Sequence, residues 1–371
     1  MTQPIKVLQF ICPTGFYGAE RWILALCNHL DTVEVESELA VTAEKDNQDL
    51  ALVDIFKKQI GETHLLAMQH PFDLSIINKL CELIKTQNID IIHTHGYKSD
   101  IIGIIAAKKS GIKCVVTPHG FENSRDLKLR FYIWLSCKLM KYGDAVVPLS
   151  KQLLKDLQPY KIPNKKLHYI QNGVDLSEVE AQRIKPFNKT ESKFVIGFLG
   201  QLISRKNVFA ILDIFNKIHN KGIKAELRII GDGDQRAELQ NYACSLASSM
   251  DIHFLGYCDN RLEQLQQFDL FVMTSTLEGI PRCLMEAMAM KIPVAAFNIS
   301  GIDQLIKDNH SGLLAKLGDQ LTLEKHWLTL ISDNDLRTQL ADNAFEFIYQ
   351  NYAAQRMANE YSQLFNNLMD D

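Results

Sequence analysis

Apolar and polar positions follow two alternating rhythms along this chain. The opening IKVLQFIC is an apolar run of strand length, and GAERWILALCNHL after it repeats its apolar residues at helical spacing. The pair recurs as ELAVTA with NQDLALVDIFKKQ, THLLAM with LSIINKLCELIKTQ, and IDIIHTH with KSDIIGIIAAKKSG. KCVVTPHG with a helix over about 126–142, then DAVVPLS with KQLLKDL, complete the series. Short apolar strands alternating with helices predict a parallel sheet covered on both faces.

The rhythm lapses into polar, Pro-containing sequence at RIKPFNKTESK (183–193), the expected linker. It restarts with FVIGFLG, a helix, AELRIIG, a helix, DIHFLG, a short helix, FDLFVMT, the EGIPRCLMEAMA segment and PVAAF. Two doubly wound domains are expected, over residues 1–185 and 186–350. The remaining helical sequence passes from one helix into another near Asn351, and 351–371 is expected to pack back on the first domain. In open parallel sheets ligands collect beyond the carboxyl ends of the strands, so chemistry is sought where strands end.

Composition adds limits. With 371 residues, 46% hydrophobic and 23% charged, the chain can bury two cores. No stretch approaches the ~20 apolar residues of a membrane span, and no signal peptide precedes the first strand, so a cytoplasmic protein is expected. Eight cysteines stand singly in apolar segments, which predicts buried thiols in a reducing compartment. Net charge is only −4, yet residues 98–166 hold fourteen Lys or Arg against five Asp or Glu, a local +9 that suits an anionic partner. Within that stretch RDLKLRFYIWLSCKLMKYGD interleaves Lys128, Arg130, Lys138 and Lys141 with Phe131, Tyr132 and Trp134. Such a helix either lies on a bilayer surface or is buried with its cations solvated; peripheral membrane contact through 126–142, at the inner face of the cytoplasmic membrane, is the expectation carried forward. Nucleic acid is not expected, since no binding module is present and the whole chain is acidic.

Candidate chemistry concentrates after FDLFVMT. Pro281 suits the first turn of the next helix, Gly279 lets the main chain turn closely beneath a ligand, and the amides of Ile280, Arg282 and Cys283 are then free to meet an anion such as phosphate. Glu278 beside that anion can accept hydrogen bonds from sugar hydroxyls. Glu286 lies inside the helix on an apolar segment, where a lone carboxylate costs several kcal/mol unless hydroxyls or a cation satisfy it. A ribose and a buried Lys or Arg are both open as partners. GDGDQRAEL resembles a phosphate loop but lacks the third glycine of the dinucleotide fingerprint. His119 closes a strand, where an imidazole can donate to a sugar hydroxyl or handle a proton. His93 and His95 share one strand face, as two metal ligands would, but no third ligand has suitable spacing, and no metal is expected.

The segment from Glu278 to Glu286 resembles the Glu-x7-Glu motif of retaining glycosyltransferases of family 4, which have the GT-B fold of two Rossmann-like domains facing a cleft. GFYGAER (15–21), DIIHTHG (90–96), TPHG (117–120), IQNGVD (170–175), GQLISRKN (200–207) and IIGDGDQRAEL (229–239) fall in the order seen in that family. The resemblance implies that Glu286 holds the donor ribose, Glu278 the transferred sugar, and the amides after Gly279 the diphosphate. Gly256 and Tyr257, in LGYCD, resemble the segment that meets the nucleobase. Lys206 matches a phosphate-binding Lys, whereas Gln201 stands where the family usually has Arg; Arg205 or Arg282 is the expected substitute. Gly18 is the safer assignment for the phosphate-facing glycine, because Tyr17 occupies the neighbouring place. His119 matches the His beside the transferred sugar, and His95, Gly96 and Gly120 line the acceptor side. By resemblance the activity is metal-independent, retaining transfer from a nucleotide-diphosphate sugar, UDP-sugar favoured, to a glycan or lipid-linked acceptor in surface polysaccharide assembly, without a cofactor. Closure of the domains would exclude water. A nicotinamide dehydrogenase lacks its glycine fingerprint in PTGFYGAE, and a phosphorylase lacks a pyridoxal lysine motif. The remaining rival is a degenerate sugar-nucleotide binder or scaffold of the same fold, to which Gln201 points.

Overall fold

The computed structural model describes residues 3–13, 15–43, 49–69, 73–121, 127–186 and 193–370. They form two compact units, one of Met1–Gly173 with Ala354–Asp371 and one of Val174–Ala353. The first runs β1 (Ile5–Ile11), α1 (Gly18–Cys27), β2 (Val35–Ala43), α2 (Ala51–Gln59), β3 (Thr63–Ala67), α3 (Ser75–Gln87), β4 (Ile91–His95), α4 (Tyr97–Ser110), β5 (Lys113–Thr117), α5 (Leu127–Leu139), β6 (Ala145–Val146) and α6 (Lys151–Leu157). The second runs α7 (Leu176–Arg183), β7 (Phe194–Leu199), α8 (Val208–Asn220), β8 (Ala225–Ile230), α9 (Arg236–Cys244), β9 (Ile252–Gly256), α10 (Arg261–Leu265), β10 (Leu270–Met273), α11 (Arg282–Ala289), β11 (Val294–Asn298), β12 (Leu313–Lys316), α12 (Gln320–Ser332) and α13 (Asn334–Asn351). The last helix, α14 (Ala354–Asp370), returns to the first unit.

Each unit holds a six-stranded sheet, ordered β3-β2-β1-β4-β5-β6 in the first and β12-β11-β10-β7-β8-β9 in the second, and every named strand pair is parallel. The order reverses at β1/β4 and at β7/β10, and these switch points are where doubly wound sheets bind ligands. Alternation along β1 sends Val7 and Ile11 into the core layer shared with α1 and α14, and Leu8 and Phe10 into the opposite layer beneath α3 and α4.

The division between units falls at Gly173/Val174, upstream of the expected 185/186 boundary. The reason is α7, a short helix capped by Asp175, whose carboxylate accepts from the amides of Ser177 and Glu178. It packs beside α10 and α11 and so belongs to the second unit. Of the expected linker, residues 187–192 lie outside the described ones. Neither α7 nor the edge strand β12 is apparent from the apolar rhythm, because both are short. The thiols also differ from expectation: Cys27, Cys114 and Cys137 are buried, but Cys12, Cys81, Cys258 and Cys283 are only partly so, and Cys244 is exposed at the end of α9.

One buried carboxyl group is informative about stability. Asp100, on α4, accepts from Thr94 Oγ1 at 2.7 Å and Ser136 Oγ at 3.1 Å, joining β4 and α5 through two neutral hydroxyls. Burial without a cation pushes its carboxyl up to about 7. A carboxyl raised in the folded state contributes fully at low pH, and that contribution fades as pH climbs from the unfolded value of about 4 through 7. Asp100→Asn, which keeps the shape without the charge, is expected to be about 1–4 kcal/mol more stable than the parent at pH 8, with the gap shrinking through pH 5 and closing below about pH 4 in denaturant titrations.

Candidate active site

In the second unit the chemistry gathers at the β7/β10 switch point. The loop after β7 forms a single tight turn over Ser204–Lys206 and leaves it through Asn207, whose φ of 50° suits a short polar side chain. The loop after β10 is fastened to this turn: Thr276 N donates to Arg205 O at 2.8 Å, and Thr274 Oγ1 donates to Asn207 O at 2.9 Å. The result places Glu278 between two cations. Lys206 Nζ donates to Glu278 Oε1 at 2.5 Å and Arg205 Nη1 to Oε2 at 3.0 Å. Burial would raise the Glu278 carboxyl, but Lys206 and Arg205 outweigh it and hold it below the usual range. Arg205 also donates to Leu277 O. Gln201 sits partly exposed in the same loop as Arg205.

Gly279 carries the chain from Glu278 into α11. A Cβ at Gly301 would lie 1.6 Å from Gly279 O, so the loop after β11 presses on this turn from one side. A Cβ at Gly279 itself would meet nothing within 4 Å. The helix begins one residue later than expected: Pro281 is its cap, and the amides of Arg282 and Cys283 precede the first bond of the turn, Leu284 N to Pro281 O. Burial pushes the Cys283 thiol up to about 12.

Glu286, 1% exposed, is satisfied by cations. Arg282 Nε donates to Oε1 at 2.7 Å, across one helical turn, and Arg261 Nη2 donates to the same oxygen at 2.9 Å. Arg261 Nε lies 3.2 Å from Oε1 and 3.3 Å from Oε2. Of the two partners left open by the sequence, the arginine pairing is made within the chain itself. Burial opposes ionisation, but Arg261 and Arg282 hold the carboxyl down at about 2. Glu178 closes the group by accepting from Arg261 Nη2 at 2.9 Å and Arg282 Nη2 at 3.4 Å. Arg282 Nη1 is buried without a partner among the described residues and remains a spare donor. Expected to replace the missing Arg at 201, Arg282 is instead committed first to Glu286. Arg261 and Glu178 are not foreseen in the sequence, whereas the four-residue spacing of Arg282 and Glu286 could have revealed that pair.

Nearby, Gly256 ends β9 with φ of 72°, its carbonyl accepting from Gly231 N at 2.7 Å, and Tyr257 beside it is 48% exposed. The GDGD turn packs on the β7 loop: Gly233 could carry no Cβ, which would lie 2.4 Å from Leu202 O, and Gln235 N donates to that oxygen. Ile280 is buried beside the turn.

In the first unit the β1/β4 switch point carries an imidazole cluster on the face covered by α1 and α14. His93 and His95 do share that face, with ring centroids 4.3 Å apart. His93 Nε2 meets Thr117 Oγ1 at 2.8 Å, and Thr117 meets Tyr361 OH of α14 at 2.8 Å. His95 is 2% exposed, with Nε2 against Gln9 Oε1 at 2.9 Å and Nδ1 against His119 Nε2 at 3.2 Å. It is thus a buried support beneath His119 and not itself a surface that an acceptor could touch. His119 is partly exposed, and Trp22 packs edge-on against it at 5.0 Å. Burial lowers all three imidazoles, so they are neutral at pH 7. A Cβ at Gly18 or Gly120 would meet nothing within 4 Å, while one at Gly15 would lie 2.4 Å from the ring of the exposed Tyr17, which would have to turn aside. Gly96 caps α4 with φ of 95°.

Two Rossmann-like units, each with its polar groups at a sheet switch point, define the GT-B class of glycosyltransferase. The chain belongs to glycosyltransferase family 4: the model described as Glycosyltransferase Family 4 matches residues 16–178, and that described as Glycosyl transferases group 1 matches 179–347. It is 25% identical over 315 residues to N-acetyl-alpha-D-glucosaminyl L-malate synthase of Bacillus anthracis, covering 81% of each chain. It is 28% identical over 264 residues to the UDP-Gal:alpha-D-GlcNAc-diphosphoundecaprenol alpha-1,3-galactosyltransferase of Escherichia coli, covering 67% of each. Its fold matches Anabaena HepE in complex with UDP-glucose with a TM-score of 0.83 at 18% identity, over 98% of this chain and all of that one.

Proposed function

We propose that this glycosyltransferase moves a sugar from a nucleoside-diphosphate donor, with UDP-sugar favoured, to a hydroxyl of a glycan or lipid-linked acceptor in cell-surface polysaccharide assembly. The observation that carries the reading is the single helical turn with Glu278 at its entrance, Glu286 at its end, Lys206 and Arg205 against the first, and two leading amides between them. Fixed cations and amides at a helix start are what a departing diphosphate needs, because they are oriented before charge develops. The reading assigns the diphosphate to Lys206, Arg205 and the amides of Arg282 and Cys283, the ribose to Glu286, sugar hydroxyls to Glu278, and the base to Gly256 and Tyr257; neutral His119 is the first unit's own candidate for a hydroxyl partner. Retention, with the leaving phosphate taking the acceptor proton and no metal required, follows from the likeness to Glu-x7-Glu enzymes. The Escherichia coli relative, named for a UDP-Gal donor and a diphosphoundecaprenol-linked acceptor, supports both the base and a lipid-linked acceptor.

The test is nucleotide release by the pure protein from UDP-, GDP- and ADP-sugars with lipid-linked and soluble glycan acceptors. Turnover with a UDP-sugar is expected. Tight nucleotide binding without turnover on any acceptor would favour the sugar-nucleotide binder, the reading that Gln201 supports.

The acceptor assignment extends to α5. No helix among the described residues is long and apolar enough to cross a membrane. Leu127, Phe131 and Trp134 are nonetheless 76%, 54% and 47% exposed, and they recur at helical spacing with Lys138 and Lys141. Aromatic rings beside lysines suit the boundary of an anionic bilayer. Phe131→Glu with Trp134→Glu is expected to lower binding to phosphatidylglycerol-containing vesicles at least about tenfold in co-sedimentation, without changing turnover on a soluble acceptor.

A further inference from the structure

Glu286 takes its donors unevenly. Oε1 receives Arg282 Nε at 2.7 Å, Arg261 Nη2 at 2.9 Å and Arg261 Nε at 3.2 Å, whereas Oε2 receives, among the described residues, only Arg261 Nε, at 3.3 Å. A carboxylate oxygen can accept two hydrogen bonds, so Oε2 keeps acceptor capacity that Oε1 has spent. Arg282 donates to Oε1 alone and Arg261 Nη2 adds to it, so the two arginines together set this asymmetry. The Arg261 guanidinium reaches across from α10 and turns its planar edge to the carboxylate, a geometry that a lysine cannot reproduce. Glu178 in turn holds Arg261 Nη2 from the far side at 2.9 Å. Arg261 is itself 7% exposed, so its rotamer is fixed by packing as well as by the two carboxylates.

We infer that Arg261, steadied by Glu178, is a positioning residue that presents Oε2 of Glu286 to a vicinal diol of the ligand, and so sets the preference of the site for a ribonucleotide. The inference rests on the assignment of the donor ribose to Glu286. Arg261 touches no ligand in this scheme; together with Arg282 it fixes the plane of the carboxylate, so that Oε2 is the oxygen left to bind one. A guanidinium that merely neutralised Glu286 would support every nucleotide equally.

The experiment is calorimetric titration of the full chain with UDP and with 2′,3′-dideoxy-UDP. The parent is expected to bind UDP at least about tenfold more tightly than the dideoxy form, as a hydrogen bond to a charged acceptor warrants. Arg261→Lys, which keeps the charge but not the fork, is expected to lose about tenfold for UDP and less than about twofold for the dideoxy form, so discrimination collapses. Glu178→Gln, a milder change at a half-exposed carboxylate, is expected to move the same ratio in the same direction by about threefold, and provides the test should Arg261→Lys fold poorly. Equal losses for both nucleotides in these variants, or discrimination left intact, would overturn the positioning role. A parent that binds the two nucleotides alike, or neither, would instead sink the ribose assignment beneath it.

Discussion

Replacing Lys206 with Ala should depress turnover by about 10²–10³-fold, the cost of losing one preorganised charge beside a leaving group. The physical reason is the position of the amine. It is 6% exposed, fixed by a tight turn that is hydrogen-bonded to the β10 loop, and held at 2.5 Å from Glu278. Such a charge needs no reorganisation when the diphosphate departs. Arg205 is a poorer substitute, since its side chain is 36% exposed and a solvated guanidinium is screened. Steady-state kinetics should therefore show kcat falling more than the affinity for donor, the signature of an interaction strongest in the transition state. A rise confined to KM, with kcat unchanged, would place Lys206 in ground-state binding only. Truncation also leaves Glu278 with a single cation, so a thermal scan should accompany the kinetics to separate lost chemistry from lost structure.

The second large effect concerns Glu286. Changing it to Gln retains volume and removes the buried charge that, with Glu178, balances Arg261 and Arg282 inside the second unit. Breaking a buried ion pair from one side typically costs about 3–5 kcal/mol. Because Glu178 remains to partner Arg261, the lower end, about 3 kcal/mol, is expected in denaturant unfolding. The pH dependence has a definite sign. A carboxyl held at about 2 when folded stabilises fully above its unfolded value of about 4, and that contribution is lost as pH falls through this window. The parent and Glu286→Gln curves should thus converge toward pH 2 and stand apart from pH 5 upward. Nucleotide affinity should fall with the same substitution.

How much of this was legible in the sequence depends on the range over which each feature is decided. Strands such as IKVLQFIC and FVIGFLG declare themselves because every residue packs in a sheet covered on both faces. Glu278, Gly279 and Glu286 declare themselves because a single loop and helix hold them at fixed spacing. Arg261 and Glu178 do not. Their role arises only when α7, a short helix with little apolar pattern, comes to rest against both α10 and α11. For the same reason α7 lay inside the expected first domain, although its contacts place it in the second. The environment of Glu286 shows the same limit, because spacing identifies a buried carboxylate without choosing between hydroxyl and guanidinium. His95 is a related case: strand alternation correctly pairs it with His93, but its burial beneath His119 is set by Gln9 on a neighbouring strand.

The most direct test of the central claim is a crystal structure of the protein soaked with UDP. The account predicts the diphosphate against Lys206 and the amides of Arg282 and Cys283, with a ribose hydroxyl on Oε2 of Glu286. Nucleotide bound elsewhere, with the Lys206–Glu278 and Arg261–Glu286 pairs undisturbed and the first turn of α11 bare, would contradict it.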